Sequence, residues 1–279
     1  MKHFVKVIAS LALILAVAAP SFNASAQRRG GSKARKTAVA NKKTSAAAKP
    51  LSMTDIAGNR YMGIFEMNGG MGVFSIVNVN PSKHATYGGL QIMYGAGYQK
   101  ISARFKLSGN KIEGNRSPAD MYGVNGSSTD GGKSIDIDLY NSETRQTMKG
   151  KFIKVPSDPQ LASGNSEEIM KVLTSGKYTA YLQMDKEGNP ELAFPVTISF
   201  KEGEENTWKI SYNQEMLMQV GGLKGTFTLD GSTIKTIDSE GGAGNGQIYE
   251  NGTYGYFKLG DKSLPGGLDC QMSIVFIKQ

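Results

Sequence analysis

Alternating apolar and polar residues recur along most of the chain after residue 60. In the segment PVTISF, residues 195–200, every second side chain from Val196 onward is apolar. The segments WKISY, residues 208–212, and SIDIDLY, residues 134–140, alternate in the same way. A period of two with one apolar face is typical of half-buried antiparallel strands. The pattern therefore predicts an all-β protein.

Turn signals separate these segments and divide the chain into short strands. Gly is frequent, at 35 residues, which agrees with many tight turns. The dipeptides and tripeptides that mark turns are Asn68-Gly69, Asp130-Gly131, Gly188-Asn189-Pro190, Asp230-Gly231 and Asn251-Gly252. Short strands at this spacing favour closed barrels or sandwiches.

One hairpin pattern occurs twice. FKLSGNKI spans residues 105–112, and FTLDGSTI spans residues 227–234. In each segment the Phe and the Leu alternate on one strand face, a Gly turn follows, and the chain returns through an Ile. We expect Phe105 and Leu107 to be buried in one unit and Phe227 and Leu229 in the other.

Two further matches lie in the same order along the chain. YMGIFEM, residues 61–67, resembles YTAYLQM, residues 178–184, and KFIK, residues 151–154, resembles VFIK, residues 275–278. Ordered matches at a nearly constant offset indicate an internal duplication. The sequence predicts two tandem antiparallel β-barrel or sandwich units, residues 53–155 and 176–279. Residues 156–175 form a linker with a short helix, which Asn165 or Ser166 caps and Gly176 ends.

Both units open in a similar way. Gly176-Lys177-Tyr178 precedes the second unit and Gly58-Asn59-Arg60-Tyr61 the first. This arrangement resembles the Gly-x-Trp opening of lipocalin-type and calycin-like β-barrels of secreted bacterial proteins, with Tyr in place of Trp. The resemblance implies barrels with an interior that accepts a ligand.

The N-terminus has the features of a secretory signal peptide. Lys2 and Lys6 precede or flank an apolar run from Val7 to Ala19, and small residues at 24–26 form a cleavage site before Gln27. We therefore assign residues 1–26 to a signal peptide and expect the protein in the periplasm, outside the cell or on its surface. No later segment is apolar for long enough to span a membrane as a helix.

The positive charge of the chain is confined to its start. The formal net charge is +8 for the whole sequence, but residues 1–53 contain ten Lys or Arg and no Asp or Glu. We expect residues 27–52 to form a disordered basic linker, because Lys, Arg, Ala and Ser cannot bury enough apolar surface to fold. The linker would suit an anionic envelope polymer, whereas nothing in the rest of the chain indicates a specific nucleic-acid partner.

Candidate catalytic chemistry is sparse. His84 lies in a polar turn, Cys270 lies in an apolar strand as a small buried side chain, and Asp136 and Asp138 project from the face opposite an apolar one. A zinc site of His and Cys ligands needs more of these residues than the mature chain supplies. The sequence therefore predicts no catalytic residues, no metal site and no cofactor.

Two functional hypotheses remain. The first is an exported, non-enzymatic binding protein for a lipid or another apolar small molecule. The second is an envelope or surface protein with a structural or adhesive role, which presents filled β-units to a macromolecular partner. For the first hypothesis, the predicted ligand-lining residues are Trp208, Ile210, Tyr212, Met216, Met218, Tyr61, Ile64, Met93 and Tyr94.

Overall fold

The computed structural model describes residues 50–67, 70–94, 99–114, 121–186, 189–264 and 268–279, which belong to one compact unit. The predicted signal peptide and most of the predicted basic linker lie outside these residues. Leu51, which the sequence assigned to the linker, is buried, and its N–H donates to Asn110 Oδ1 at 2.9 Å. The folded part therefore begins slightly earlier than predicted.

The described residues are mainly β-strands. The first eight strands are β1 (Arg60–Glu66), β2 (Gly72–Val79), β3 (Tyr87–Tyr94), β4 (Gln99–Ser108), β5 (Lys111–Gly114), β6 (Tyr122–Ser127), β7 (Ser134–Asn141) and β8 (Gln146–Val155). The following eight are β9 (Tyr178–Lys186), β10 (Asn189–Lys201), β11 (Thr207–Ser211), β12 (Lys224–Asp230), β13 (Thr233–Asp238), β14 (Ala243–Tyr249), β15 (Tyr254–Leu264) and β16 (Leu268–Lys278). The helices are α1 (Met53–Ile56) and α2 (Ser166–Ser175), with 3-10 turns at Glu215–Gln219 and Glu250–Gly252.

Strands β1 to β8 form a closed antiparallel barrel. Each strand pairs with the next, and β8 returns to pair with β1, so that Phe65 lies opposite Gly150. Closure leaves no unpaired edge strand in this ring. The prediction of an all-β barrel fold is confirmed, and the barrel alternative holds over the sandwich.

The next eight strands pair in the same order. Strands β9 to β16 are antiparallel neighbours, and β16 pairs with β9 through residues such as Val275 and Tyr181. A short pairing between β2 and β10, at Val73 and Leu192, joins the two sets of strands.

The two similar hairpins occupy corresponding strands. Leu107 pairs with Ile112 across β4 and β5, and Leu229 pairs with Ile234 across β12 and β13. Phe105, Leu107 and Phe227 are buried as predicted, but Leu229 is only half-buried. The turns after Leu107 and after Leu229 are both exposed, but Asn110 in the first one accepts the N–H of the buried Leu51.

A buried tyrosine opens each set of eight strands. The Tyr61 hydroxyl donates to the carbonyl oxygen of Gly132 at 2.9 Å, and the Tyr178 hydroxyl donates to that of Gly252 at 2.8 Å. Both glycines have positive φ angles, 82° and 98°. An added Cβ would lie 3.1 Å from Asp55 O in one case and 3.1 Å from a methyl of Val172 in the other. The glycines thus allow α1 and α2 to pack closely at this point of each unit.

Helix α2 follows its sequence signals. Asn165 is the N-cap, and its side chain accepts the N–H of Glu168 at 2.8 Å. This bond satisfies one of the free N–H groups at the helix start. Gly176 follows the last helical residue. Within the described ranges, neither helix combines the length and the apolarity needed to cross a membrane.

An apolar cluster lies between the two sets of strands. It is formed by side chains on the outward faces of both sets, and Phe74 and Tyr181 meet there with ring centroids 6.1 Å apart. Its buried members are Ile64, Phe74, Val155, Tyr181, Ala193, Tyr254, Val275 and Ile277. At these positions the strands that supply them are therefore buried on both faces.

Candidate functional site

Aromatic side chains occupy the interiors of both sets of strands. In the second set, Trp208 lies 5.3 Å from Phe257 and Phe200 lies 5.5 Å from Phe227, measured between ring centroids. In the first, Phe65 and Phe152 are in edge contact at 5.0 Å. Such contacts are those of an ordinary packed core. A ligand site is therefore better sought on the outside of the strands.

Among the cavities that border the described residues, three open on outer strand faces. Two, of about 310 and 350 Å3, lie at Asn245 on β14 and at Asn125 on β6. The largest of the three has a volume of about 530 Å3 and lies across β10 to β13; we call it the outer groove. It is lined by Ser199, Lys201, Thr207, Trp208, Lys209, Lys224, Gly225, Thr226, Ile237, Asp238 and Ser239.

Strand register builds an apolar floor at one side of the outer groove. Thr207 pairs with Thr226, and Thr226 pairs with Ile237. These residues share the outward face, since the inward positions of β13 are Ile234 and Thr236, which are buried. Ile237 is 56% exposed, although it is a large apolar residue. The methyl groups of this row are accessible to a ligand, since the Ile237 side chain is exposed.

Lysine side chains border the other side of the outer groove. Lys209 on β11 lies directly opposite Lys224 on β12, and both are exposed. Lys201 lies at the end of β10, opposite Thr207. Three ion pairs occur in the described part of the chain, and none of them includes these three lysines. Lys209 and Lys224 therefore place positive charge along one side of the outer groove, and Lys201 places it at one end of the apolar row.

A buried ion pair lies at the end of the outer groove. Lys262 Nζ is 2.5 Å from Asp238 Oδ2, with side-chain exposures of 4% and 1%. Burial raises the pKa of Asp238, but hydrogen bonds from Lys262 and from the N–H groups of Glu240 and Gly242 outweigh this effect and hold the pKa below its usual value. Asp238 therefore stays ionised and neutralises Lys262 rather than the lysines of the groove.

The predicted ligand residues of the second unit are dispersed. Trp208 and Ile210 are buried and point inward, and the Trp208 indole N–H donates to Thr226 O at 3.1 Å. Trp208 also borders the outer groove. Tyr212 is half-buried beyond the end of β11, and Met218 is 67% exposed on a 3-10 turn. The side chain of Met216 lies outside the described part.

The predicted residues of the first unit are dispersed as well. Tyr61 is bonded to Gly132, and Ile64 belongs to the apolar cluster between the two sets of strands. Met93 is half-buried on β3. Tyr94 is buried, and this burial raises its pKa. These four side chains do not line any of the three cavities.

Sequence reasoning did not single out Lys209, Lys224 or Ile237. A signal for Ile237 was present, because in TIKTID it falls on the same phase as Thr233 and Lys235. An apolar residue on the polar phase of a strand marks either a buried outer face or an exposed apolar surface. Lys209 and Lys224 are cross-strand neighbours only in this strand register, which could not be predicted from the sequence.

The residues considered for catalysis do not form a reactive group. His84 and Asp136 are exposed, as predicted, and Asp138 is half-buried. Cys270 is half-buried on β16 rather than fully buried, since it lies near the end of the strand. Searched over the described ranges, the chain holds no cluster of three or more potential His, Cys, Asp or Glu metal ligands.

The fold and the outer groove define an all-β protein with a closed eight-stranded antiparallel barrel and eight further strands. No protein-family model and no curated protein matches the chain. A crystal structure of a protein of unknown function from the DUF3598 family of Nostoc punctiforme is similar, with 10% identity, 81% of this chain and 97% of that chain covered, and a TM-score of 0.25. A likeness at that TM-score carries no argument about fold or function.

Proposed function

We propose that this protein is an exported, non-enzymatic binding protein that holds an apolar or amphiphilic small molecule in the outer groove. The observation that carries the proposal is the outer groove itself, about 530 Å3 in volume, with Ile237 exposed on its floor. Small-molecule sites are concave, mostly apolar and roughly 300–1,000 Å3 in size. The aromatic packing inside the strands supports a site on the outside rather than in a barrel interior.

Dodecanol is a suitable probe, because it is apolar with a neutral head group. Trp208 is the only Trp of the chain and stands between Thr207 and Lys209 of the groove, so its fluorescence has a single source. We expect a saturable change in Trp208 emission when dodecanol is titrated. Ile237→Ser should weaken binding by about tenfold, since it removes part of the apolar contact.

Met218→Ser is the matched control. Met218 is also an exposed large apolar residue, but it does not line the outer groove. Its replacement should leave the dodecanol affinity unchanged. A titration without saturation, or equal effects of the two substitutions, would contradict the proposal.

The packed interiors also favour a second candidate, an envelope or surface protein with a structural or adhesive role. In that role the outer strand faces would contact a macromolecule, and the basic segment 27–52 would add affinity for an anionic envelope polymer. Retention of the mature protein on lipopolysaccharide, together with no binding of dodecanol, would favour this candidate.

Export and internal duplication are part of the proposal. Export is supported by the signal-peptide features of residues 1–26 and is tested by the N-terminal sequence of the mature protein, which should begin at Gln27. Duplication of a calycin-like unit is supported by the corresponding hairpins and by the bonds of Tyr61 and Tyr178 to glycine carbonyls.

A further inference from the structure

We propose that the ligand of the outer groove is a single-chain anionic amphiphile. Its acidic head group binds between Lys209 and Lys224, and its apolar chain lies on Thr226 and Ile237. This inference rests on the proposed function, because it specifies the chemistry of a molecule in the same groove.

The first argument is the uncompensated charge of the lysine pair. Like charges directly opposite each other on neighbouring strands destabilise a sheet, and Lys209 and Lys224 are such a pair. No carboxylate in the described residues forms an ion pair with either of them. By contrast, Lys235 on the same outer face has a partner, Asp230, at 3.6 Å. An anionic group between Lys209 and Lys224 would supply the missing compensation.

The second argument is the distribution of the nearby acidic residues. Asp238 is bound to Lys262, and Glu240 lies 3.5 Å from the same ammonium group. The exposed turn after Lys201 contains Glu202, Glu204 and Glu205, so Lys201 has negative charge near it along the chain. Lys209 and Lys224 have no acidic residue within two positions along their strands, so this pair attracts an anion more strongly than Lys201 does.

The third argument is the position of the apolar row beside the charged pair. Lys224 and Thr226 are two residues apart on β12 and therefore project from the same face. The next row across the sheet runs from Lys201 through Thr207 and Thr226 to Ile237. Four neighbouring strands at about 4.8 Å spacing give this row a length of about 14 Å. A charged end and an adjoining apolar row match a molecule with a head group and a chain.

The size of the outer groove indicates one molecule rather than a membrane surface. The space has a volume of about 530 Å3, which is the scale of a single small ligand. A bilayer would instead require a projecting apolar surface with basic residues around it.

The test compares three probes of equal chain length: dodecanoate, dodecanol and dodecyltrimethylammonium, each below its micelle concentration. Binding is followed by Trp208 fluorescence and by calorimetry at low and high ionic strength. Dodecanoate should bind about three- to tenfold more tightly than dodecanol, because exposed ion pairs contribute modestly. This preference should shrink as salt is added, and the cationic probe should bind most weakly.

The double variant Lys209→Met and Lys224→Met tests the residues. It should lose the preference for dodecanoate and retain dodecanol binding, and its melting temperature without ligand should equal or exceed that of the wild type, since a repulsive pair is removed. Lys235→Met is the control, because it removes a charge from the same outer face but outside the groove lining. It should leave the preference intact.

The outcomes separate the two proposals. Equal binding of dodecanoate and dodecanol, with no effect of the double variant, would overturn the head-group inference while the proposed function stands. Binding of none of the three probes would overturn both. Binding to vesicles of anionic lipid without binding of monomeric dodecanoate would overturn the single-molecule inference in favour of a membrane surface.

Discussion

Two tyrosine side chains show how single residues tie distant parts of this fold together. Tyr61 and Tyr178 are buried at the start of β1 and β9, and each donates a hydrogen bond to a glycine carbonyl more than 70 residues away. A buried hydroxyl must keep such a partner, because an unpaired polar group in the core costs about 1–3 kcal/mol. The neutral phenol is therefore the form that the folded state requires.

The free energy of unfolding should fall as the pH rises above 10. Burial is the main cause that raises the pKa of Tyr61 from 10.0 to about 12. As the pH rises, the Tyr61 phenol therefore loses its proton in the unfolded chain before it does so in the folded one. Its contribution to the free energy of unfolding is fully present below pH 10 and is lost as the pH approaches 12. The contribution of Tyr61 amounts to about 2–3 kcal/mol. Burial also raises the pKa of Tyr178 and of Tyr181, so the decline should be steep.

Denaturant unfolding at a series of pH values measures this effect. Tyr61→Phe should start from a lower stability but decline less steeply, because the titrating group is gone. Tyr87→Phe serves as the control, since Tyr87 is 44% exposed, and its slope should match that of the wild type. Identical slopes for all three proteins would contradict the prediction.

The positions of these tyrosines could be predicted from the sequence, but their hydrogen-bond partners could not. The openings Gly58-Asn59-Arg60-Tyr61 and Gly176-Lys177-Tyr178 placed the two tyrosines at the first strand of each predicted unit. Gly252 was recognised only as a turn residue and Gly132 was not singled out, because their role depends on a left-handed backbone and on contacts with α1 and α2. A single sequence holds little information about such distant contacts.

At the scale of elements, the repeated hairpin places a large aromatic residue in each core. Phe227 on β12 is buried and lies 5.5 Å from Phe200. Phe227→Ala should reduce the free energy of unfolding by about 3–5 kcal/mol, the range for a buried Phe that leaves a cavity. Thermal or urea unfolding checks this value.

The neighbouring Thr228→Ala is the matched control, because Thr228 lies on the exposed face of the same strand. Its effect should stay within about 0.5 kcal/mol. A loss at Phe227 no larger than the loss at Thr228 would show that this hairpin does not anchor the core. Leu229→Ala should have an intermediate effect, because Leu229 is half-buried.

The period-two pattern predicted strands well where one face meets solvent. It placed Val196, Ile198 and Phe200 inward on β10, and all three are buried. It was less informative for β16, where every residue from Met272 to Ile277 is buried. The continuous buried run there arises because the outward Val275 and Ile277 enter the cluster between the two sets of strands.

The outer groove could be predicted only in part, because alternation along one strand does not show which residues of neighbouring strands meet. Pattern assigns a residue to a face, and Ile237 was recognisable as an apolar residue on a polar face. Register and the pairing of strands decide which residues of different strands meet. The meeting of Lys209 with Lys224 therefore required the structure.

At the scale of the whole molecule, two sets of eight strands share one apolar contact region. The β2–β10 pairing and the apolar cluster join them, and the Tyr181 hydroxyl donates to Met62 O at 3.4 Å. The sequence predicted two units, but the contact between them could not be predicted. The outward residues that form this contact are spread over seven strands. We expect burial of these side chains to couple the unfolding of the two sets.

We expect the wild type to unfold in a single transition, with equal calorimetric and van't Hoff enthalpies. Val275→Asp should break this coupling, because Val275 is buried in the apolar cluster and a carboxylate there has no cationic partner among the cluster residues. The variant should show a calorimetric enthalpy larger than the van't Hoff enthalpy, or two separate transitions. Thr197→Asp places the same charge on an exposed outer position of β10 and should keep a single transition near the wild-type temperature. If Val275→Asp also unfolds in one transition at that temperature, the apolar cluster does not couple the two sets of strands.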